Sequence, residues 1–126
     1  MDNANFLSVE IYTPKLELPE ILDSIHTLHL NKSRLSRLEF ANNLNQLAPI
    51  HTSFLVDKGH YNGPEIHNIS ERAIIYIVNA RTRMFITVLL ARPNQIVRLY
   101  KECGLIAPPN IVSFAVEYQK NGYNNF

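Results

Sequence analysis

The apolar positions of this chain follow two periods, and the switches between them divide it into elements. Residues 6–12, FLSVEIY, alternate apolar and polar side chains, which predicts a short strand at a sheet edge. From Pro19 the period becomes helical. Ile21, Leu22, Ile25 and Leu28 mark one face, Pro19 suits a first turn, and Glu20 suits the positive end of the dipole. After NKS, Ser33 is a suitable N-cap for a second helix. Its stripe is Leu35, Leu38, Ala41, Leu44 and Leu47, at a constant spacing of three, and Pro49 ends it.

Beyond Pro49 the β-branched residues take over. HTSFLV (51–56) reads as a strand, DKGHYNGPE as a turn with two glycines and a proline, and EIHNIS as a short strand or its approach. RAIIYIVN (72–79) and RMFITVLLA (83–91) are strongly strand-like, and the NART between them is short enough for a hairpin. Two neighbouring runs this apolar predict the centre of a sheet covered on both faces. Pro93 then opens a helix with Ile96, Leu99, Tyr100 and Cys103 on its buried side, and Gly104 closes it. A last helix carries apolar residues at 111, 114, 115 and 118 and stops at Gly122, followed by a tail that could dock through Tyr123 and Phe126. The fold class expected is α+β: two N-terminal helices, a three- to four-stranded antiparallel sheet and two C-terminal helices, with 6–12 as a candidate extra strand.

Composition narrows the function. The 126 residues suit one domain spanning 1–126, large enough to fold without a disulfide or a metal. A formal net charge of +1 offers no global basic field, so any nucleic-acid site must be a local patch. The single cysteine, Cys103, excludes a disulfide framework and a paired-cysteine zinc site, in keeping with a cytoplasmic location. The N-terminal segment lacks the marks of a secretory signal, and no apolar run is long enough to span a membrane.

Two segments carry candidate chemistry. GHYNGPEIHNIS places His60, Glu65 and His67 within eight residues around a glycine–proline turn, and imidazole is the side chain matched to proton transfer near neutral pH. Either histidine could instead be a solvated turn or strand residue. Their spacing does not suggest a metal site, and no cofactor is expected. The second segment is FITVLLARPNQIVRLY. Thr87 falls inside a strand, where a buried hydroxyl needs a partner. Arg92 precedes a helix N-terminus, a natural anion site, while Gln95 and Arg98 are three apart on one helical face. Together they could hold one or two phosphates, or the arginines could be solvated surface charges. Arg81 and Arg83 add positive charge at the other end of the strand. Cys103, on an apolar helix face, suits a core role rather than a nucleophile.

The order of elements, with GHYNGPEIHNIS, FITVLLARPNQIVRLY and the terminal AVEYQKNGYN, resembles the BECR nucleases, which join barnase, EndoU-type, colicin-type and RelE-type ribonucleases. Within them it looks like the phage- and polymorphic-toxin-associated branches. The likeness covers roughly residues 17–122 by element order, and chiefly 59–69 and 85–100 by motif. It implies a small metal-independent endoribonuclease toxin whose substrate 2′-hydroxyl attacks the adjacent phosphate to leave a 2′,3′-cyclic end. The matching residues would be His60 or His67 for proton transfer, Arg92 for phosphate charge and Thr87 and Gln95 for positioning. Arg98 and Tyr100 would be supporting substrate contacts. Implied partners are RNA, with tRNA among the candidates, and a cognate antitoxin or immunity protein; no membrane is implied. The alternative expectation is a non-enzymatic nucleic-acid- or protein-binding accessory domain on the same scaffold.

Overall fold

A computed structural model describes residues 6–27 and 31–122. In chain order the elements are β1 (Ser8–Ile11), α1 (Leu18–Asp23), a 3₁₀ turn (Ser24–Thr27), α2 (Lys32–Asn45), β2 (Ile50–Asp57), β3 (Glu65–Ser70), β4 (Ile74–Asn79), β5 (Phe85–Leu90), α3 (Pro93–Glu102) and α4 (Pro109–Asn121). The class is α+β with an antiparallel sheet, as expected. The sheet has five strands in the order β1-β2-β3-β4-β5, not three or four, because β1 pairs with β2 through Val9↔Val56 and Ile11↔Phe54.

The helices depart from expectation for geometric reasons. The first stops at Asp23 and tightens into the 3₁₀ turn; Leu28 lies outside the described residues, as do Tyr123 and Phe126. The second is capped by Asn31, whose side chain accepts from the Arg34 N–H at 2.8 Å, so Ser33 lies inside the helix. Its stripe cannot stay on the core. A spacing of three rotates by about −60° per step relative to a full turn, so only Leu38 and Ala41 are buried, Leu35 is exposed, and Leu47 lies beyond the left-handed C-cap Gln46 at 77% exposure.

The centre of the sheet is β3 flanked by β2 and β4, not the β4–β5 pair. β4 is buried along nearly its whole length, whereas β5 is an edge strand with half-exposed residues. The β4–β5 turn is set by Asn79, whose side chain accepts from the N–H groups of Arg81 and Thr82. The β2–β3 connection bends at Gly63, where φ is +90° and Arg81 lies so close that a Cβ would meet its Nε at 2.7 Å. Both α3 and α4 begin on a proline, where the missing N–H costs nothing.

Alternation gives the sheet two unlike faces. Ser53, Asn68, Ser70 and Tyr76 point to the side covered by α2. There Ser53 donates to Asn68 Oδ1 at 2.6 Å and accepts the Leu16 N–H at 3.1 Å. Asn68 donates to the Tyr76 carbonyl at 2.8 Å. Ser70 donates to Asn45 Oδ1 at 3.1 Å, Asn45 donates to the Tyr76 hydroxyl at 3.0 Å, and that hydroxyl donates to Asn42 Oδ1 at 2.9 Å. The other face carries Phe54, His67, Ile77 and Thr87, one row across β2 to β5. Helix α3 crosses this face, with Tyr100 edge-on to Phe54 at a centroid distance of 4.9 Å.

Candidate functional site

Under α3 the second face holds a cavity of about 230 Å³. Its floor is Ile75 and Ile77 of β4 and Leu89 of β5; Gln95, Arg98 and Leu99 of α3 form one wall, and Phe6 and Lys58 lie at the β1–β2 end. His67 projects into it from β3 and is 7% exposed. Its ring is held by the next side chain on the same strand face: Nε2 lies 3.0 Å from Glu65 Oε1. Lys58 Nζ lies 3.9 Å from the same oxygen. The His67 hydrogen bond keeps the Glu65 carboxyl below its ordinary range; burial opposes this, and the charges of His67, Lys58 and His60 reinforce it.

An ionised Glu65 can only accept, so it fixes the proton of a neutral His67 on Nε2 and leaves Nδ1 with its lone pair. Among the described residues nothing bonds to Nδ1. The cavity therefore joins an oriented imidazole, a carboxylate hydrogen-bonded to it, and two cations, Lys58 and Arg98. Apolar walls strengthen each of these interactions relative to water. Such a set suits an anionic substrate that must lose a proton.

Of the residues singled out in the sequence, His67, Gln95 and Arg98 meet in this cavity. Gln95 also closes the first turn of α3, where its Oε1 accepts the Arg92 N–H at 2.8 Å, and its amide N–H groups are left for other partners. Thr87 lies on the correct face but two strands from His67, about 10 Å away and beyond hydrogen-bond reach. The bulge that lets Phe85 pair with Val78 breaks the alternation expected to keep Phe85 in the Thr87 row.

Besides Thr87, three further expected site residues are not brought into the cavity. His60 is an exposed residue of the β2–β3 turn, where its carbonyl accepts the Gly63 N–H at 2.9 Å, and it reaches the site only through its charge. Arg92 is the exposed N-cap of α3; at φ −89° and ψ 148° it has left the helix, so it does not extend the Gln95–Arg98 face. Tyr100 is a packing residue with its hydroxyl in a separate cluster, 3.1 Å from Thr52 Oγ1 and 2.8 Å from His51 Nδ1. Burial raises its pKa, and the Thr52 bond opposes that rise.

Sequence reasoning gives neither Glu65 nor Lys58 a role in the chemistry. Glu65 carried a signal, because an i, i+2 pair on a strand shares one face. Lys58 carried none; only the β2–β3 register brings it beside Glu65. Cys103 is half-buried with Sγ 3.7 Å from the Val9 carbonyl, and burial first, then Glu102 and Glu10, push its thiol pKa up, as suits an unreactive thiol. Among the described residues no helix is long and apolar enough to cross a membrane, and no three His, Cys, Asp or Glu side chains group as a metal site. No known protein family, no curated protein and no solved structure matches the chain.

Proposed function

We propose that the chain is a small endoribonuclease that works without a metal, of the BECR type and toxin-associated. One observation carries the reading. Among the described residues the buried polar ones are Asn45, Ser53, His67, Asn68 and Ser70, and all but His67 satisfy one another or the backbone on the α2 face. Of these, His67 alone is buried beneath the opposite face, bonded through one nitrogen and facing a cavity with two cations. Its second ring nitrogen is not sealed among buried atoms but open to that cavity, where a substrate proton can reach it.

In the proposed reaction His67 Nδ1 takes the proton of the RNA 2′-hydroxyl, and the 2′-oxygen bonds to the adjacent phosphorus. The bond from phosphorus to the 5′-oxygen breaks, and that oxygen leaves with a proton from the Lys58 ammonium. The products are a 2′,3′-cyclic phosphate and a 5′-hydroxyl. Glu65 balances the charge that develops on the His67 ring, and Arg98 offsets that on the phosphorane. Gln95 positions the phosphate through its amide N–H groups. Total bacterial RNA incubated with the protein in EDTA should yield discrete fragments with cyclic phosphate ends, and His67→Ala should abolish them. Intact RNA with folded wild-type protein would refute the reading. It would favour the alternative of a binding module, which already has one observation behind it: His60, Thr87 and Arg92 do not gather at the cavity.

A further inference from the structure

A second cavity, of about 270 Å³, lies on the other side of the sheet from His67. Its β5 residue is Leu90, the neighbour of the Leu89 that floors the first, and successive strand residues face opposite sides. The walls are largely apolar: Phe40 and Leu44 of α2, Leu90, and Phe114 and Tyr118 of α4. One cation, Arg72 of the β3–β4 turn, lines it. The Arg72 Nε is buried and, among the described residues, has no hydrogen-bond partner.

That arginine is held in place before anything binds. Ser70 Oγ accepts the N–H groups of Arg72 at 3.3 Å and of Ile74 at 3.1 Å. The Tyr118 hydroxyl donates to the Arg72 carbonyl. The guanidinium lies over the Phe114 ring, 4.8 Å from its centroid. Ala73, fully buried, takes φ +61° to close the turn, a conformation uncommon for a residue with a side chain. Glu117 also lines the cavity, but among the described residues no carboxylate lies within ion-pair distance of Arg72. Among the described residues no hydrogen bond or ion pair engages this fixed guanidinium, and the N–H groups beyond its sealed Nε can meet a carboxylate with two parallel bonds.

We propose that this cavity binds a small monocarboxylate with an apolar body, the carboxylate on Arg72 and the body against Phe40, Leu44 and Phe114. The volume is that of about nine water molecules, which suits an acid the size of 3-phenylpropanoate. The site is separate from the ribonuclease reading and does not depend on it.

The test is an NMR titration of the full chain with 3-phenylpropanoate and, in parallel, with the uncharged 3-phenylpropan-1-ol. The expected result is saturable binding of the acid, with amide shifts centred on Arg72, Leu90, Phe114 and Tyr118. The alcohol should bind about tenfold or more weakly, the factor for losing one charge-assisted hydrogen bond. Arg72→Met should show a similar loss, and Arg72→Lys a smaller one. Arg37, whose Nε is also buried and unpaired, does not line the cavity, so Arg37→Gln should leave affinity unchanged, as should His67→Ala. Equal affinity for acid and alcohol would overturn the proposal, as would full binding by a folded Arg72→Met. Absence of saturation at millimolar acid, occupancy by water alone, would also overturn it. Should Arg72→Met fail to fold, the acid–alcohol comparison on the native chain still decides.

Discussion

Tyr76→Phe should produce two stability curves that converge as the pH rises. The hydroxyl it removes lies between the Asn45 amide at 3.0 Å and Asn42 Oδ1 at 2.9 Å, in a buried site. Near neutral pH its loss leaves a donor and an acceptor without their partner, which costs about 1–3 kcal/mol. Burial raises the Tyr76 pKa from 10.0 to about 12, against the Asn45 hydrogen bond and with a smaller push from Tyr118. The sign follows from linkage. Below the ordinary tyrosine pKa both folded and unfolded chains keep the proton, so stability is complete. Above it the unfolded chain ionises first and stability falls until the folded pKa is passed. The wild type should therefore lose about 1.4 kcal/mol by pH 11 and about 2.3 kcal/mol by pH 12 from this group alone. The phenylalanine variant loses none of it, and the other tyrosines, common to both chains, largely cancel in the difference. Urea unfolding of both proteins from pH 8 to 12, followed by circular dichroism, gives the comparison. The wild-type advantage should vanish or reverse by the alkaline end. A difference that stays constant would mean that Tyr76 ionises as freely in the folded protein as in the unfolded chain, and the buried network would be wrong.

The other expectations concern the cavity and the sheet. Glu65→Gln should preserve the fold yet lower RNA cleavage by about 10²–10³, near the loss of one charge-stabilising group; unchanged cleavage would remove Glu65 from the mechanism. The Glu65 pKa is depressed, so its stabilisation is present above the ordinary carboxylate range and lost as pH falls through the lowered value. The wild-type advantage over Glu65→Gln in urea should accordingly narrow below about pH 4; a gap that widens there reverses the sign and refutes the pairing. His60→Ala should leave cleavage within about twofold of wild type, since the exposed imidazole acts only through a screened charge; a loss as deep as that of His67→Ala would show that the turn closes over the cavity. Ile66→Ala, in the fully buried centre of β3, should cost about 2–5 kcal/mol, and Leu89→Ala, half-exposed at the edge, distinctly less; the reverse order in thermal unfolding would contradict the strand order.

What the sequence disclosed were features written within a few residues of one another. The β-branched runs marked β4 and β5, Pro93 marked the start of α3, and three-residue spacing put Gln95 and Arg98 on one helical face that the structure turns into the cavity. Local spacing misled where the backbone changes conformation between two residues. Arg92 does precede the α3 N-terminus, but as its extended, exposed N-cap it does not line the cavity with Gln95 and Arg98. His60 is seven before His67, but the turn between them separates an exposed ring from a buried one. The edge position of β5 depended on where β1 pairs, through contacts nearly fifty residues apart such as Val9↔Val56, and no local pattern encodes that. Lys58 stayed out of sight for the same reason.

Polarity alone would point to the α2 face, away from His67. Ser53, Asn68, Ser70, Asn45 and Tyr76 form a denser polar group than anything near His67, and all are buried. Their donors and acceptors pair in sequence from the β3–β4 turn to α2, so the cost of burying each is offset within the network. Such a group fixes how α2 seats on the sheet and has little capacity left for a ligand. His67 shares its cavity with Lys58, Gln95 and Arg98 as well as with isoleucines and leucines, with one nitrogen bonded to Glu65 and the other left with a lone pair. It is this unspent hydrogen-bonding capacity in a cation-flanked cavity, and not the number of polar groups, on which the proposed chemistry of the α3 face rests. Restoring a partner there should therefore quench function without loosening the fold. Leu99→Gln, which sets an amide in the wall of the His67 cavity, should suppress RNA cleavage while the dispersion of the NMR spectrum persists; cleavage at the wild-type rate in that folded variant would show that Nδ1 is not the group that takes the proton.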